Sequence, residues 1–335
     1  VVQLSSHDRK IQIKQDLVSF DPGDQTSVLK YGPLDPQNVE PAWSRFPNLH
    51  VRTRWCAATF KAHRSYNMAD QTTATKRRTE RTIYPAHGDP IRVVPLNVPS
   101  ELFGEKAAPA VAPQLTYRNG PLIKNVEIFT IFWGNGWQQA PASGLISQVN
   151  DFFSYIVTSP LIDQLAEYNV PGQSIGHGSM VGTISITTPP LHRSVSDSAI
   201  QHMLQHLIAT NNAVPQPSPD TLYFIYVQPG TKVVQGGGAS CQVFCGYHND
   251  ISGQIFYAVM PYPGCAGCTG NLDPFAALTS TSSHELCEAI TDAIPGQGWY
   301  DDSNGEIGDI CAWKTKTVGK YTVQLEWSNK ANKCI

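Results

Sequence analysis

The sequence predicts an α/β fold: a mixed sheet with helices, in which the last helix, carrying a metal motif, follows the edge strand, and an irregular N-terminal region precedes the whole. Three observations predict it. From residue 115 onward, β-branched and aromatic runs alternate with segments of helical apolar spacing. The string Ser283-His284-Glu285-Leu286-Cys287-Glu288 closes that alternation. Residues 1 to about 95, by contrast, scatter Pro and Gly without any period.

Each element has its own signal. Residues 126–133 (Val-Glu-Ile-Phe-Thr-Ile-Phe-Trp) read as a buried strand stopped by Gly134-Asn135-Gly136. Ile146, Val149, Phe152, Phe153 and Ile156 then recur at helical spacing. A strand is expected near 181–187 and a helix near 195–210, started by Ser194 or Ser196. Residues 222–227 and 255–260 are further strands, the latter on the edge of the cleft, and the motif helix is expected over about 275–294. The order is β-α-β-α-β-β-α. Ahead of it, the Pro/Ala-rich stretch 96–114 reads as a linker, giving an N-terminal extension over 1–110 and an α/β domain over 111–335. The basic run Lys76-Arg77-Arg78-Thr79-Glu80-Arg81 reads as a solvated face or a processing site.

The motif carries the chemistry. At 3.6 residues per turn, His284 and Glu288 stack on one helix face with Glu285 beside them. In that layout two residues hold a metal and the glutamate between them takes the proton of an attacking water. It is the metal helix of a zinc peptidase with glutamate for the second histidine, so the domain is expected to be zincin-like. The extra carboxylate partly neutralises the ion, which makes a harder metal more competitive: Zn2+ is expected, with calcium or another divalent ion as alternatives. The competing reading is an exposed acidic helix face capped by Ser282 or Ser283.

A third ligand is expected from the glycine-rich loop that follows. Asp292 lies eight residues from His284, about 12 Å along a helix axis, too far to share one ion comfortably. An acid at that helix C-terminus opposes the dipole and implies a specific hydrogen-bond partner. Glu306 and Asp309, set between glycines, are the candidates. Among other groups, His248 is placed in a loop before the edge strand, with Tyr247 and Tyr300, as a candidate for stabilising a transition state. His202 and His206, four apart with no carboxylate between them, read as an exposed helix face. Gly236-Gly237-Gly238 lacks the context of a phosphate loop.

Composition sets the setting. In 335 residues, 41% hydrophobic and 15% charged, there is material for a large core. A net charge of −3 gives no general attraction to nucleic acid, and no apolar run is long enough to span a membrane. Of eight cysteines, seven follow residue 240. They read as disulfides of an oxidising compartment, with a thiolate zinc site at Cys241, Cys245, Cys265 and Cys268 as the alternative. Cys287 or Cys311 is expected to tie the acidic loop to the helix.

The segments 115–123 and 131–134, Phe244-Cys-Gly-Tyr-His248, Ser283 through Asp292, Gly298-Trp-Tyr-Asp-Asp, and Glu306-Ile-Gly-Asp-Ile-Cys311 together resemble the phosphate-induced, EXORDIUM-like secreted proteins and their microbial relatives. The resemblance covers about 115–335. It implies a secreted or wall-associated protein and supplies no catalytic activity. Two expectations therefore stand side by side. One is a secreted metal-dependent hydrolase of protein, peptide or cell-wall substrates; the other is a non-catalytic extracellular binding or signalling protein that keeps the fold.

Overall fold

The computed structural model describes residues 94–97 and 112–335. The expectations for the basic run at 76–81, and for most of the extension and linker, fall outside them. The chain is mixed α/β, built on a six-stranded sheet. Its strands are β1 (Val94–Pro95), β2 (Glu127–Trp133), β3 (Ser179–Ile186), β4 (Thr221–Val227), β5 (Phe244–Ile251) and β6 (Ile255–Pro261), in the spatial order β1-β5-β6-β4-β2-β3. The pairs β3–β2, β2–β4 and β4–β6 are parallel, whereas β5 runs antiparallel to both β6 and β1.

Parallel neighbours need crossovers, and helices supply them. Helix α1 (Ala142–Ile156) follows β2 and α2 (Asp197–Thr210) follows β3, with the Ser196 side chain accepting from the Ala199 N–H at its start. Side chains alternate across β4: Leu222, Phe224 and Tyr226 face α1, while Tyr223, Ile225 and Val227 face α2. The result is three layers, with α2 on one side and α1 and the motif helix on the other.

The motif helix α3 spans Pro274–Thr291 and begins as its sequence directs. Asp273 caps the Phe275 and Ala276 N–H groups, and Pro274 occupies the first turn, where a missing N–H costs nothing. Ser282 and Ser283 lie well inside the helix, so neither is its cap. A helix buried on every side normally reads as wholly apolar. Here the run Thr279-Ser280-Thr281-Ser282-Ser283 is buried instead, with the hydroxyls of Thr279, Ser282 and Ser283 bonded at short range. Thr279 donates to the Thr322 carbonyl, Ser283 donates to the Ser280 carbonyl and accepts from the Gln324 N–H, and Ser282 bonds the Tyr226 hydroxyl. Small side chains let the sheet close on one face of α3 and the hairpin Thr315–Val318/Tyr321–Gln324 on the other.

Three sequence expectations are corrected. The 255–260 strand is interior, because a further strand, β5, lies outside it and is bordered in turn by β1. His248 therefore lies in a strand rather than a loop. The cysteines also differ in detail. The bonds are Cys241–Cys265, Cys245–Cys268 and Cys311–Cys334, which removes the thiolate zinc alternative. Cys287 is free and buried, and Cys311 ties the acidic loop to the C-terminal strand Lys333–Cys334 rather than to the helix. Among the described residues, no helix is long and apolar enough to cross a membrane.

Candidate metal centre

The motif residues are not an exposed acidic face. His284, Glu285 and Glu288 are all fully buried, and so is Glu306, while His248 and Asp309 are nearly so. Three elements meet here. Helix α3 supplies His284, Glu285 and Glu288; β5 supplies His248; and the loop after the helix returns Glu306 and Asp309. His248 faces α3 because β5 alternates. Its neighbour Tyr247 points to the opposite layer, where its hydroxyl donates to Asp197, which takes Tyr247 out of the cluster.

The loop is shaped by its other acids. Asp292 accepts from the N–H groups of Gly296, Gln297 and Gly298, which is the partner set that its place at a helix end demanded. Asp301 organises the next turn by accepting from Ser303, Asn304 and Gln114. Asp302 is at the surface, paired with Arg118 at 2.6 Å. Tyr300 is buried in the short strand Trp299–Tyr300, which pairs with Thr116–Tyr117, and the Arg118 guanidinium lies over its ring at 4.4 Å.

Within the cluster, Glu288 Oε1 lies 2.9 Å from His284 Nε2 and also accepts from the Asp309 N–H at 3.1 Å. Glu288 Oε2 is 3.5 Å from His248 Nδ1. Glu285 Oε2 contacts that same Nδ1 at 3.2 Å, while His248 Nε2 faces Glu306 Oε1 at 3.6 Å and the Asp292 carbonyl at 3.2 Å. Gly308 covers His284 so closely that a Cβ there would sit 2.8 Å from the ring.

In this cluster two groups of donors have their ligand atoms within 4.8 Å of one another: His284, Glu288 and Asp309, and His248, Glu288 and Glu306; the third such group among the described residues, Cys241, Cys265 and Cys268, is taken up in disulfides. All four sequence-expected ligands are thus brought together, and Asp309 is the acid that joins His284. The donors suit an ion by a further test. Both ring nitrogens of His284, Glu285 Oε1, Glu288 Oε2 and both oxygens of Glu306 are buried without an aligned hydrogen bond. Buried polar groups left in that state are costly, and a divalent cation satisfies imidazole and carboxylate together.

Electrostatics without an ion express the same crowding. Burial works against a charged His248, yet Glu285 and Glu288 hold it protonated, raising it to about 10. Burial likewise opposes charge on Glu288, but His284 and His248 bring it down to about 2. Burial and its acidic neighbours push Glu306 well above the usual carboxylate range, and burial raises Glu285.

Sequence reasoning passed over Glu326. It is fully buried with both oxygens lacking hydrogen bonds, and it interacts electrostatically with His284 and Glu288. Its only sequence signal is an acid in the run Tyr321-Thr-Val-Gln-Leu-Glu-Trp327, where alternation places it on the nominally solvent side.

Comparison with known proteins adds no family. No protein-family model matches this chain, and no curated protein matches it.

Proposed function

We propose that this chain is a secreted, divalent-metal-dependent hydrolase acting on peptide bonds. His284, Glu288 and Asp309 hold the ion, and Glu285 is the general base. The observation that carries this reading is the state of Glu285: its Oε2 is fixed by His248, while Oε1 is buried with no hydrogen bond of its own, in a carboxylate that feels the charges of Glu288 and His284. An ion bound there supplies Lewis acidity toward a substrate carbonyl. Glu285 takes the proton of the attacking water at Oε1 and delivers it to the leaving amine, while His248 keeps the carboxylate aimed. The zincin-like setting, a helix bearing donors one turn apart beneath a mixed sheet, supports this reading. So does the pairing of six late cysteines, which fits an oxidising compartment. The EXORDIUM-like resemblance points the same way for localisation.

One observation favours a second reading. With the cluster wholly buried, substrate reaches Glu285 only if the covering elements move. A closed centre is the mark of a structural ion, which suits a non-catalytic extracellular or cell-wall binding or signalling protein. The two separate in a single set of assays, cleavage of unfolded protein and of a broad peptide library with and without chelator. The hydrolase reading expects Glu285→Gln to keep fold and metal while slowing cleavage roughly a hundred- to ten-thousandfold. His284→Ala should lose the metal. Cleavage indifferent to both chelator and Glu285→Gln would sink the mechanism. Metal-loaded protein that cleaves nothing, yet melts earlier in chelator, would establish the second reading.

A further inference from the structure

We propose that the centre is binuclear: two divalent cations bridged by the carboxylate of Glu288. This rests on the metal-binding reading above and extends it. The two oxygens of Glu288 face different histidines. Oε1 lies against His284 Nε2 at 2.9 Å, and Oε2 lies toward His248 Nδ1 at 3.5 Å with no hydrogen bond. Each histidine belongs to its own donor group, completed by Asp309 in one and by Glu306 in the other, and Glu288 is the member common to both. A carboxylate shared in this manner is the usual bridge where two ions lie about 3.5–4 Å apart.

The His248 side has its own requirement for a cation. Glu285 holds Nδ1, which leaves Nε2 facing Glu306 Oε1 at 3.6 Å and the Asp292 carbonyl oxygen at 3.2 Å. Oxygens gathered on an imidazole nitrogen repel its lone pair unless a proton or a metal ion lies among them. A ligating histidine commonly gives its other nitrogen to a carboxylate, which is the place Glu285 takes here. Both oxygens of Glu306 are buried without an aligned hydrogen bond, and the Asp292 carboxyl lies beside them, a crowding of acids that a cation relieves.

Charge separates the alternatives. Glu285, Glu288, Glu306, Asp309 and Glu326 are buried together, and Asp292, held by three backbone N–H groups, lies against Glu306. With neutral imidazoles, two divalent ions offset twice as much of this interior negative charge as one does. Unpaired interior charge is the costliest item a fold can carry.

The full chain, stripped with chelator, reloaded with Mn2+ or Zn2+ and freed of excess metal, tests the proposal. Elemental analysis and native mass spectrometry should give two ions per chain. The Mn2+ form should show the exchange-coupled electron paramagnetic resonance spectrum of a bridged pair. Glu306→Gln should fall to one ion and to the six-line signal of isolated Mn2+; Asp309→Asn should likewise retain one. Should the variants fail to fold, the wild-type stoichiometry and spectrum still decide. One ion per chain with an isolated signal overturns the bridge while keeping the single-ion reading, and no bound ion overturns both.

Discussion

Cys287 sits one residue before Glu288, buried, and burial together with the negative charge of Glu326 pushes its thiol well above the ordinary range. The thiolate is the reactive form, so this cysteine should be inert in the folded chain. At pH 8 its alkylation should be at least roughly a hundredfold slower than after unfolding, because reaction must wait for opening of a core helix. Mass spectrometry of the peptide containing Cys287 checks this, and equal labelling in both states would contradict it. At this scale the sequence was partly legible. His284, Glu285 and Glu288 are readable because a helix fixes their spacing, and Asp309 and Glu306 because glycines bracket them. Cys287 was misread as a bonded cysteine, since nothing in its spacing reveals that Cys311 turns instead to Cys334. Glu326 was hidden because an acid out of phase with the apolar alternation Tyr321, Val323, Leu325, Trp327 ordinarily faces water; it lies in the link between the strands 321–324 and 327–328.

Among the elements, β5 was missed because Gly246, His248, Asn249 and Asp250 break any apolar pattern; His248 serves the cluster, Asn249 donates to the Tyr257 hydroxyl and Asp250 accepts from the Gly253 N–H of the turn. The parallel strands were legible for the opposite reason. Covered on both faces, β2 and β4 are nearly continuous apolar runs. The loop behind α3 lays its backbone on the ligand ring at Gly308, and that approach can be tested directly. In Gly308→Ala the new methyl would meet His284 Nδ1 and Cε1 at 2.8–2.9 Å, closer than packed atoms allow. The ring or the loop must yield, at a cost of about 1–3 kcal/mol. Metal affinity, measured by competition with a chelating dye, should fall roughly 10–100-fold, as for other changes to groups that hold a ligand in place. Unchanged affinity in a variant that melts like wild type would show that the contact does not position His284.

For the molecule as a whole, metal and acid should act on stability with opposite signs. In the metal-free chain, His248 titrates at about 10 against an ordinary 6.5, so its contribution is complete below 6.5 and lost as pH rises through 10. Glu285, Asp292, Glu306 and Glu326 are all raised, so their contributions are present in acid and decline above the usual carboxylate range. Among these carboxylates Glu288 runs the other way, at about 2 against 4.5: its contribution is present above that range and is lost only as pH falls toward 2. The metal-free chain should therefore melt higher at pH 5 than at pH 8. The loaded chain should do the reverse, because protons displace the ion from its imidazoles and carboxylates. Melting curves at both pH values, with and without chelator, check the crossing; parallel shifts would refute it. The two margins of the main sheet also differ in a way that bears on what the molecule can join. Beside the cluster, β1 closes the margin and seats Val94 against the Cys245–Cys268 bond, while Trp313 donates to the Pro95 carbonyl and Asn97 to that of Gly267. A proline in that outermost strand also withholds a donor. At the far margin, β3 offers eight residues that alternate between half-buried and exposed, with Val181 at the surface. Among the described residues, an incoming chain seeking backbone partners therefore finds the side next to the cluster already taken by the protein's own residues, and is directed to the margin four strands away from His248.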